Sequence, residues 1–460
     1  MNDETLPKIA EYISVALNQP LPTEVHLKTK FHLMDTLAAI VTGSELKPGK
    51  AAINYILSQG GTPESSIACT SIKTTATNAA MVNAMLAHSN ETDDSHAPSL
   101  THPGCAVIPA ALAVAEREGL SGEQLLRAIA LGYDISSRIG RAMGGINARG
   151  MHGHSTHAIG PMFGAAAAAS ALAGLNEREC RHALAYTVQQ ASGVITWERD
   201  PEHIEKAFVF GGVGARNGVT SAMFVQSGMT GEENAFTGDF NFVDTFCSNP
   251  SELSTSVETL GSHYEISITN IKKFAVGSPI QAAADAMVHL VNEYKFTPED
   301  VLRIDVLLPP LGAKIVNART MPDVNLQYAL AVIILDEGKL SFEATHSYER
   351  LNSPEVVSLI KLVHLAGNPE FEKLEAQRPA TVSVKLTNGR TVQKHISAVR
   401  GTADNPMTKG EVETKAHELF STVLGHNNSS TLVRLIWEIE TKTTLNPIWE
   451  LLSTRSTNSN

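Results

Sequence analysis

Residues 164–174 read GAAAAASALAG, a run in which Leu172 is the only side chain larger than serine. A helix with such small side chains can approach its neighbours closely on every face, which is typical of the centre of a helical bundle. Outward from this run, apolar residues recur with a period of roughly 3.6 residues, in residues 24–41, 79–88, 106–118 and 122–141. The Gly-rich stretch 211–214 is expected to interrupt this pattern before a helix resumes over residues 220–228. We therefore expect the first 265 or so residues to be mostly helical.

The composition changes after about residue 268. Residues 301–309, VLRIDVLLP, alternate and are rich in Val, Ile and Leu, which predicts a strand. Residues 381–386 and 390–396 flank Asn388–Gly389, a pair that supplies the positive φ angles of a tight hairpin turn. Helical patterns lie before, between and after these strands, at 280–294, 324–335, 354–365, 409–423 and 431–440.

The expected fold class is therefore mainly α. Residues 1–268 and 401–460 are expected to form one large helical domain from both ends of the chain. Residues 269–400 are expected to form a smaller α+β domain.

Composition and charge exclude several classes of protein. Apolar residues make up 43% and charged residues 18% of the 460 residues, which excludes a disordered or fibrous chain. The 36 Lys and Arg against 48 Asp and Glu give a net charge of −12, so neither a nucleic-acid nor a membrane-surface partner is expected. Four scattered cysteines without a CxxC pair predict reduced thiols. We expect a cytoplasmic protein, because no secretory signal is evident and the longest apolar stretch, residues 161–175, is shorter than the ~20 residues of a spanning helix.

Residues 88–104, HSNETDDSHAPSLTHPG, concentrate acids and histidines in a loop between two expected helices. Loops on a rigid scaffold commonly carry catalytic groups. His102 stands out, since the Pro-Gly pair that follows forms a stiff turn that can fix it before the next helix. The plainer alternative is that Asp93, Asp94 and Ser95 cap a helix while the histidines are solvated.

A second loop, RGMHGHSTHAIG (residues 149–160), contains His152, His154 and His157. Imidazole is a common zinc ligand, but the spacing HxHxxH does not match the helical HExxH arrangement, and no cysteine is nearby in the sequence. We therefore expect acid/base or carboxylate-binding histidines here rather than a metal site.

Two lysines stand just before apolar stretches of the sequence, which is unusual for a charged residue. Lys206 precedes the apolar, Gly-rich run AFVFGGVGARNG, and Lys272 precedes another lysine and the apolar run FAVGSPIQAAADA. Such a lysine either extends its ammonium group to solvent or contributes a desolvated cation to a site. The GGVG stretch lacks the order of a phosphate-binding loop, so we expect no nucleotide site.

Together these segments resemble the MmgE/PrpD family, which includes 2-methylcitrate dehydratases and cis-aconitate decarboxylases. The segments that carry the resemblance are 88–116, 154–175, 206–231, 272–286 and 325–338. The resemblance implies a large helical domain with a smaller α+β lid, a homodimer, and an active site in the cleft between the domains. It also implies a small carboxylate substrate, with neither metal nor organic cofactor.

The resemblance assigns roles to residues one by one. Its acidic Asp-x-Asp-Asp-Thr stretch corresponds to Glu91-Thr92-Asp93-Asp94-Ser95, in which Glu91 and Ser95 depart from the family pattern. The implied catalytic residues are His102, Asp93, Asp94, His154, Lys206 and Lys272, with His152 as an alternative to His154. The implied substrate-binding residues are Glu91, Ser95, Thr156, Gln281 and Tyr328. Gln281 stands nearest to where many members have a histidine, a departure that leaves other substrates and isomerase chemistry open.

The expected chemistry is proton movement at a carbon beside a carboxylate. His102 would be the general acid or base, and Asp93 or Asp94 would orient it or move the proton of a leaving hydroxyl. Lys206, Lys272 and His154 would stabilise the developing negative charge. The leading expectation is a hydro-lyase resembling 2-methylcitrate dehydratase. The alternatives are an epimerase or isomerase, a cis-aconitate-type decarboxylase, and an inert carboxylate-binding protein.

Overall fold

The computed structural model describes residues 4–145, 153–374 and 378–453. Its α-helices are α1 (Thr5–Val15), α2 (Thr23–Gly43), α3 (Lys47–Leu57), α4 (Ala76–Ala87), α5 (Gly104–Arg117), α6 (Gly122–Ala142), α7 (Thr156–Leu172), α8 (Glu177–Gln190), α9 (Ile204–Ala207), α10 (Val213–Gln226), α11 (Phe242–Phe246), α12 (Pro250–Ser256), α13 (Gln281–Tyr294), α14 (Pro310–Val316), α15 (Leu326–Leu335), α16 (Phe342–Thr345), α17 (Tyr348–Leu351), α18 (Pro354–Ile360), α19 (Lys409–Trp437) and α20 (Asn446–Leu452). The strands are β1 (Ser65–Ser66), β2 (Lys73–Thr74), β3 (Val301–Leu308), β4 (Val363–Gly367), β5 (Ala380–Leu386) and β6 (Thr391–Ile396). The expected mainly-α fold class is confirmed.

The chain divides into two compact units. The larger unit contains Met1–Ser89, Asp93–Thr269 and Thr408–Asn460, and the smaller unit contains Asn90–Thr92 and Asn270–Met407. Among the described residues, no helix is both long enough and apolar enough to cross a membrane.

The centre of the larger unit is α7, whose residues are all buried. Its glycines allow close backbone approach, since a Cβ added at Gly164 would lie 2.4 Å from the carbonyl oxygen of Gly132 on α6. The small side chains of this helix therefore have the packing role that the sequence predicts. The C-terminal segment belongs to the same unit, where Lys415 on α19 forms a buried ion pair of 2.6 Å with Asp35 on α2.

The smaller unit contains a four-stranded sheet in the order β4-β3-β5-β6. Strands β3 and β4 are parallel, whereas β5 is antiparallel to both β3 and β6. The β5–β6 hairpin turns at Gly389, whose φ is 85°. Asn388 does not have a positive φ, so only one of the two positive angles expected of the Asn-Gly pair is present. Helices α13 and α15 contribute buried apolar residues to the core that includes the sheet.

Two expected elements need correction. The helix expected over residues 354–365 is wrong beyond Ile360, because Val363–Gly367 pairs with β3 as the parallel edge strand β4. The Gly-rich stretch 211–214 does not interrupt the helix to which it belongs. Instead, a π-helical turn at Phe208–Gly212 joins α9 to α10 without leaving helical geometry.

Candidate active site

Asp93 holds two histidines in the larger unit. Its Oδ2 lies 2.8 Å from Nδ1 of His88 and 3.2 Å from Nδ1 of His102. An ionised carboxylate can only accept hydrogen bonds, so both imidazoles donate through Nδ1. This arrangement fixes their tautomers and leaves Nε2 of each ring as the basic nitrogen. All three residues are buried, with His102 the most accessible at 8% exposure.

The buried position of His88 controls its charge. Burial lowers the pKa of His88 to about 4, although the nearby Asp93 carboxylate opposes this change. The electrostatic interactions of His88 with Lys206 and with His102 also lower the pKa of His88. His88 is therefore neutral at pH 7.

Phe210 brings a third imidazole to this cluster. The ring of His88 stacks on Phe210 at 4.2 Å, and the ring of His157 stacks on it at 4.1 Å. The ring of His102 lies 5.2 Å from Phe210 and 5.3 Å from His157. Phe210 belongs to the π-helical turn, a local geometry that is frequent at functional sites. The phenyl ring thus forms an apolar wall against the candidate acid/base groups.

Lys206 supplies a cation beside this wall. It lies on α9, and its Nζ is 5.1 Å from the ring centre of Phe210 and 5.7 Å from that of Trp197. The backbone N–H of Lys206 donates to the Asp200 carboxylate at 3.1 Å. These contacts hold the ammonium group against aromatic faces, where its attraction for a developing negative charge is less screened than in bulk water.

Asp94 has different hydrogen-bond partners from Asp93. Its Oδ2 accepts from Nδ1 of His32 at 2.8 Å and from the hydroxyl of Tyr133, and its Oδ1 accepts from the backbone N–H of Gly104 at 3.0 Å. Gly104 is the first residue of α5 and comes two positions after His102. These three donors make Asp94 an anchor for the start of α5.

The second loop is only partly within the described residues, since His152 lies outside them. His154 forms a backbone bridge with Val194, and its ring lies 5.0 Å from Phe246. His157 lies three residues after His154, in the first turn of α7, and its ring stacks on that of Phe210. Thr156 donates its hydroxyl to the carbonyl oxygen of Leu100 at 2.7 Å. Ser95 is buried in the first loop.

The remaining predicted residues belong to the smaller unit. Nζ of Lys272 lies 3.3 Å from Oε2 of Glu91, and both residues are buried. The amide of Gln281 donates to the carbonyl oxygens of Phe274 and Val276 and accepts from the N–H of Phe274. The hydroxyl of Tyr328 donates to the carbonyl oxygen of Ala344 at 2.6 Å. Gln281 and Tyr328 thus bind backbone groups of their own unit.

Two protein-family models match this chain and together cover most of it. The family model of the MmgE/PrpD N-terminal domain matches residues 7–253. The model of the MmgE/PrpD C-terminal domain matches residues 274–439. The chain belongs to the MmgE/PrpD family.

Several curated relatives of this MmgE/PrpD chain are decarboxylases by name. It is 26% identical to a cis-aconitate decarboxylase of Homo sapiens over 91% of this chain and 88% of the relative. It is 24% identical to a cis-aconitate decarboxylase-like protein of Aspergillus oryzae over 97% and 96% of the two chains. A cis-aconitate decarboxylase of Aspergillus terreus is 22% identical, over 97% and 95%.

The structure adds residues that sequence reasoning did not assign. In this MmgE/PrpD chain, His88 and His157 were visible as histidines of the two quoted loops, but their contacts with Asp93 and Phe210 were not. His32 lies 62 positions before Asp94, so no local pattern could identify it as a partner.

Proposed function

We propose that this protein is a lyase that moves a proton at a carbon beside a carboxylate of a small di- or tricarboxylic acid. The observation that carries the proposal is the sharing of the Asp93 carboxylate by His88 and His102. It provides two oriented imidazoles of different exposure in a buried site. Membership of the MmgE/PrpD family, with decarboxylases among its relatives, supports lyase chemistry.

His102 is the proposed acid/base, with Nε2 as the atom that exchanges the proton. Such a carbon-bound proton is weakly acidic, so the negative charge that develops on the substrate must be stabilised. Lys206, held against Phe210, is the proposed cation for this purpose. Asp93 keeps the His102 tautomer correct and stabilises the imidazolium that forms.

Two lyase reactions fit this site, each for its own reason. Decarboxylation of a cis-aconitate-like acid is supported by the names of the relatives. It requires loss of carbon dioxide and delivery of one proton to the carbon, which His102 can supply. Dehydration of a 2-methylcitrate-like acid is supported by the family membership. In that reaction His102 would take the carbon proton and return it to the leaving hydroxyl, which departs as water.

Proton NMR in D₂O tests the proposal. EDTA-treated protein is incubated with 2-methylcitrate, citrate, cis-aconitate, methylaconitates, malates and iminodisuccinate. Release of carbon dioxide with new methylene signals identifies a decarboxylase, and gain or loss of a vinyl signal without carbon dioxide identifies a dehydratase. Deuterium incorporation without net elimination contradicts the lyase and indicates an epimerase or isomerase. No change in any acid contradicts the proposed substrate class.

Variants of the histidines test the assignment of roles. We expect His102→Ala to fold normally and to lower turnover by roughly 10²–10⁴-fold. His289→Ala is the matched control, because that side chain is 54% exposed on α13 of the smaller unit. We also expect His157→Ala to lower turnover more than His154→Ala. Equal turnover of His102→Ala and the His289 control would remove His102 from the mechanism.

Lys272 stays a proposed carboxylate-binding cation. Its pairing with Glu91 means that an added carboxylate would compete for the same ammonium group. Lys272→Ala should therefore mainly raise KM, and unchanged kinetics would contradict this role. The homodimer, the cytoplasmic location and the independence from cofactors stay predictions.

A further inference from the structure

We propose that His88, Asp93 and Cys105 form a binding site for a thiophilic divalent cation, Zn²⁺ or Cd²⁺, whose occupation inhibits the acid/base site. Each residue offers one ligand atom: a ring nitrogen, a carboxylate oxygen and Sγ. These atoms all lie within 4.8 Å of one another, and all three residues are buried.

The spacing is close to that of a tetrahedral zinc centre. Zinc bonds of about 2.0–2.3 Å place neighbouring ligand atoms roughly 3.3–3.7 Å apart. The Nδ1–Oδ2 distance of His88 and Asp93 is 2.8 Å, so this pair would separate slightly. The ligand atoms would move together by roughly 1.5 Å at most, a change within the reach of side-chain rotation.

The ligand chemistry selects the cation. One nitrogen, one oxygen and one sulfur favour Zn²⁺ or Cd²⁺ over Mg²⁺ and Ca²⁺, which prefer oxygen ligands alone. Binding releases the thiol proton of Cys105, since the thiolate is the ligand. The proton on Nδ1 of His88 moves to Nε2, so that Nδ1 can bind the cation. The thiolate and the Asp93 carboxylate then balance the two positive charges, which matters in a buried site.

Cys105 can change its partners at low cost. It lies in the first turn of α5, where Sγ donates to the carbonyl oxygens of His102 at 3.1 Å and Phe210 at 3.4 Å. The thiol is a weak donor, so little is lost when these bonds break. A serine at this position can donate to the same carbonyl oxygens but is a poor ligand for a thiophilic cation.

Inhibition follows from the position of Asp93. A cation on Oδ2 of Asp93 competes with the hydrogen bond that this oxygen accepts from Nδ1 of His102 and so disturbs the orientation of that ring. Cys105 itself has no part in the proposed reaction. The metal therefore acts by displacing a positioning contact.

Co²⁺ is the probe for the binding test, because it replaces Zn²⁺ and has a visible spectrum that reports its ligands. The full chain is treated with EDTA, dialysed and titrated with CoCl₂ until the spectrum is constant. We expect the intense visible bands of a tetrahedral site and a sulfur-to-cobalt charge-transfer band in the near ultraviolet. Addition of ZnCl₂ should abolish both. A wild-type protein without the charge-transfer band overturns the proposal.

The variants locate the site. Cys105→Ser should remove the charge-transfer band and weaken Zn²⁺ binding by about 10-fold or more. Cys180→Ser is the matched control, since Cys180 is a buried thiol on α8 outside the cluster. Loss of the band in the Cys180 variant, or its retention in a Cys105 variant with native circular dichroism, overturns the assignment. If Cys105→Ser does not fold, Cys105→Ala provides the same comparison.

A second experiment rests on the proposed function. With free Zn²⁺ fixed by a chelating buffer, we expect inhibition of turnover that EDTA reverses and that Cys105→Ser escapes. Equal inhibition of wild type and variant overturns the regulatory half of the proposal. If no substrate is turned over at all, the proposed function fails, while the cobalt spectrum still decides the metal site.

Discussion

Asp134 on α6 should make the stability of the larger unit depend on pH. Its carboxylate accepts from the backbone N–H of Glu265 at 2.6 Å and from the hydroxyl of Tyr12 at 2.9 Å. Burial raises the pKa of Asp134 to about 7, although the Arg138 charge and these two hydrogen bonds lower it. The folded protein therefore holds a proton that the unfolded chain has already released.

The sign and size of the change in the free energy of unfolding with pH follow from this difference in pKa. The ordinary value is 3.8, so between pH 3.8 and about 7 the folded state binds the extra proton and stability falls as the pH rises. At about 1.4 kcal/mol per pKa unit, the free energy of unfolding should fall by about 4 kcal/mol across this window. Well above pH 7 the contribution becomes constant, because the carboxyl group is then ionised in both states.

Asp134→Asn removes this proton and should flatten the pH dependence. Urea unfolding followed by tryptophan fluorescence reports the right unit, since Trp197, Trp437 and Trp449 all belong to it. The free energy of unfolding of the variant minus that of the wild type should increase by about 4 kcal/mol from pH 4 to pH 7, because only the wild type loses stability. The exposed Asp239 provides the control Asp239→Asn, which shows how much comes from losing one surface charge. A difference that stays within about 1 kcal/mol over the whole range would refute the reasoning.

Three further predictions concern packing and buried charge, and urea unfolding measures each. Asp94→Asn should destabilise the larger unit by about 2–4 kcal/mol, because an amide cannot accept from all three donors that the carboxylate binds; a loss below about 1 kcal/mol would argue against the anchor role. Gly164→Ala should cost about 1–3 kcal/mol, because its Cβ would lie 2.4 Å from a backbone oxygen, whereas Gly410→Ala, where nothing lies within 4 Å, should be neutral or slightly stabilising. Lys415→Met should cost about 3–5 kcal/mol by leaving Asp35 buried without its ion pair, and the added change Asp35→Asn should restore part of that loss.

Much of the fold could be predicted because its signals are local. The small residues of 164–174 and the alternating residues of 301–309 each reflect the surface that one element must bury. Strand β4 escaped prediction because its sequence, VHLAG, gives no strong alternation and becomes a strand through pairing with β3. The π-helical turn escaped for a similar reason, since glycines at 211 and 212 usually break helices but here are held inside one.

The candidate site shows the same division between local and distant signals. Asp93 and His102 could be singled out because one loop carries both, and the Pro-Gly pair marks where that loop becomes rigid. The separate roles of Asp93 and Asp94 could not be predicted from the sequence. The two side chains are adjacent in the chain, and only the folded structure shows that they bind different partners. The partners of Asp94, His32 and Tyr133, lie 62 and 39 positions away in the chain.

The choice between His154 and His157 depends on where α7 begins. The sequence analysis predicts a helix over residues 164–174, so it places both histidines in the loop that precedes this helix. In the structure α7 starts at Thr156 and continues through Pro161, which has no N–H to donate to the carbonyl of His157. His157 therefore lies within the helix, and its ring stacks on Phe210. His154 precedes the helix, and its backbone forms a bridge with Val194. A helix that starts two turns earlier than expected thus changes which imidazole can reach the candidate acid/base group.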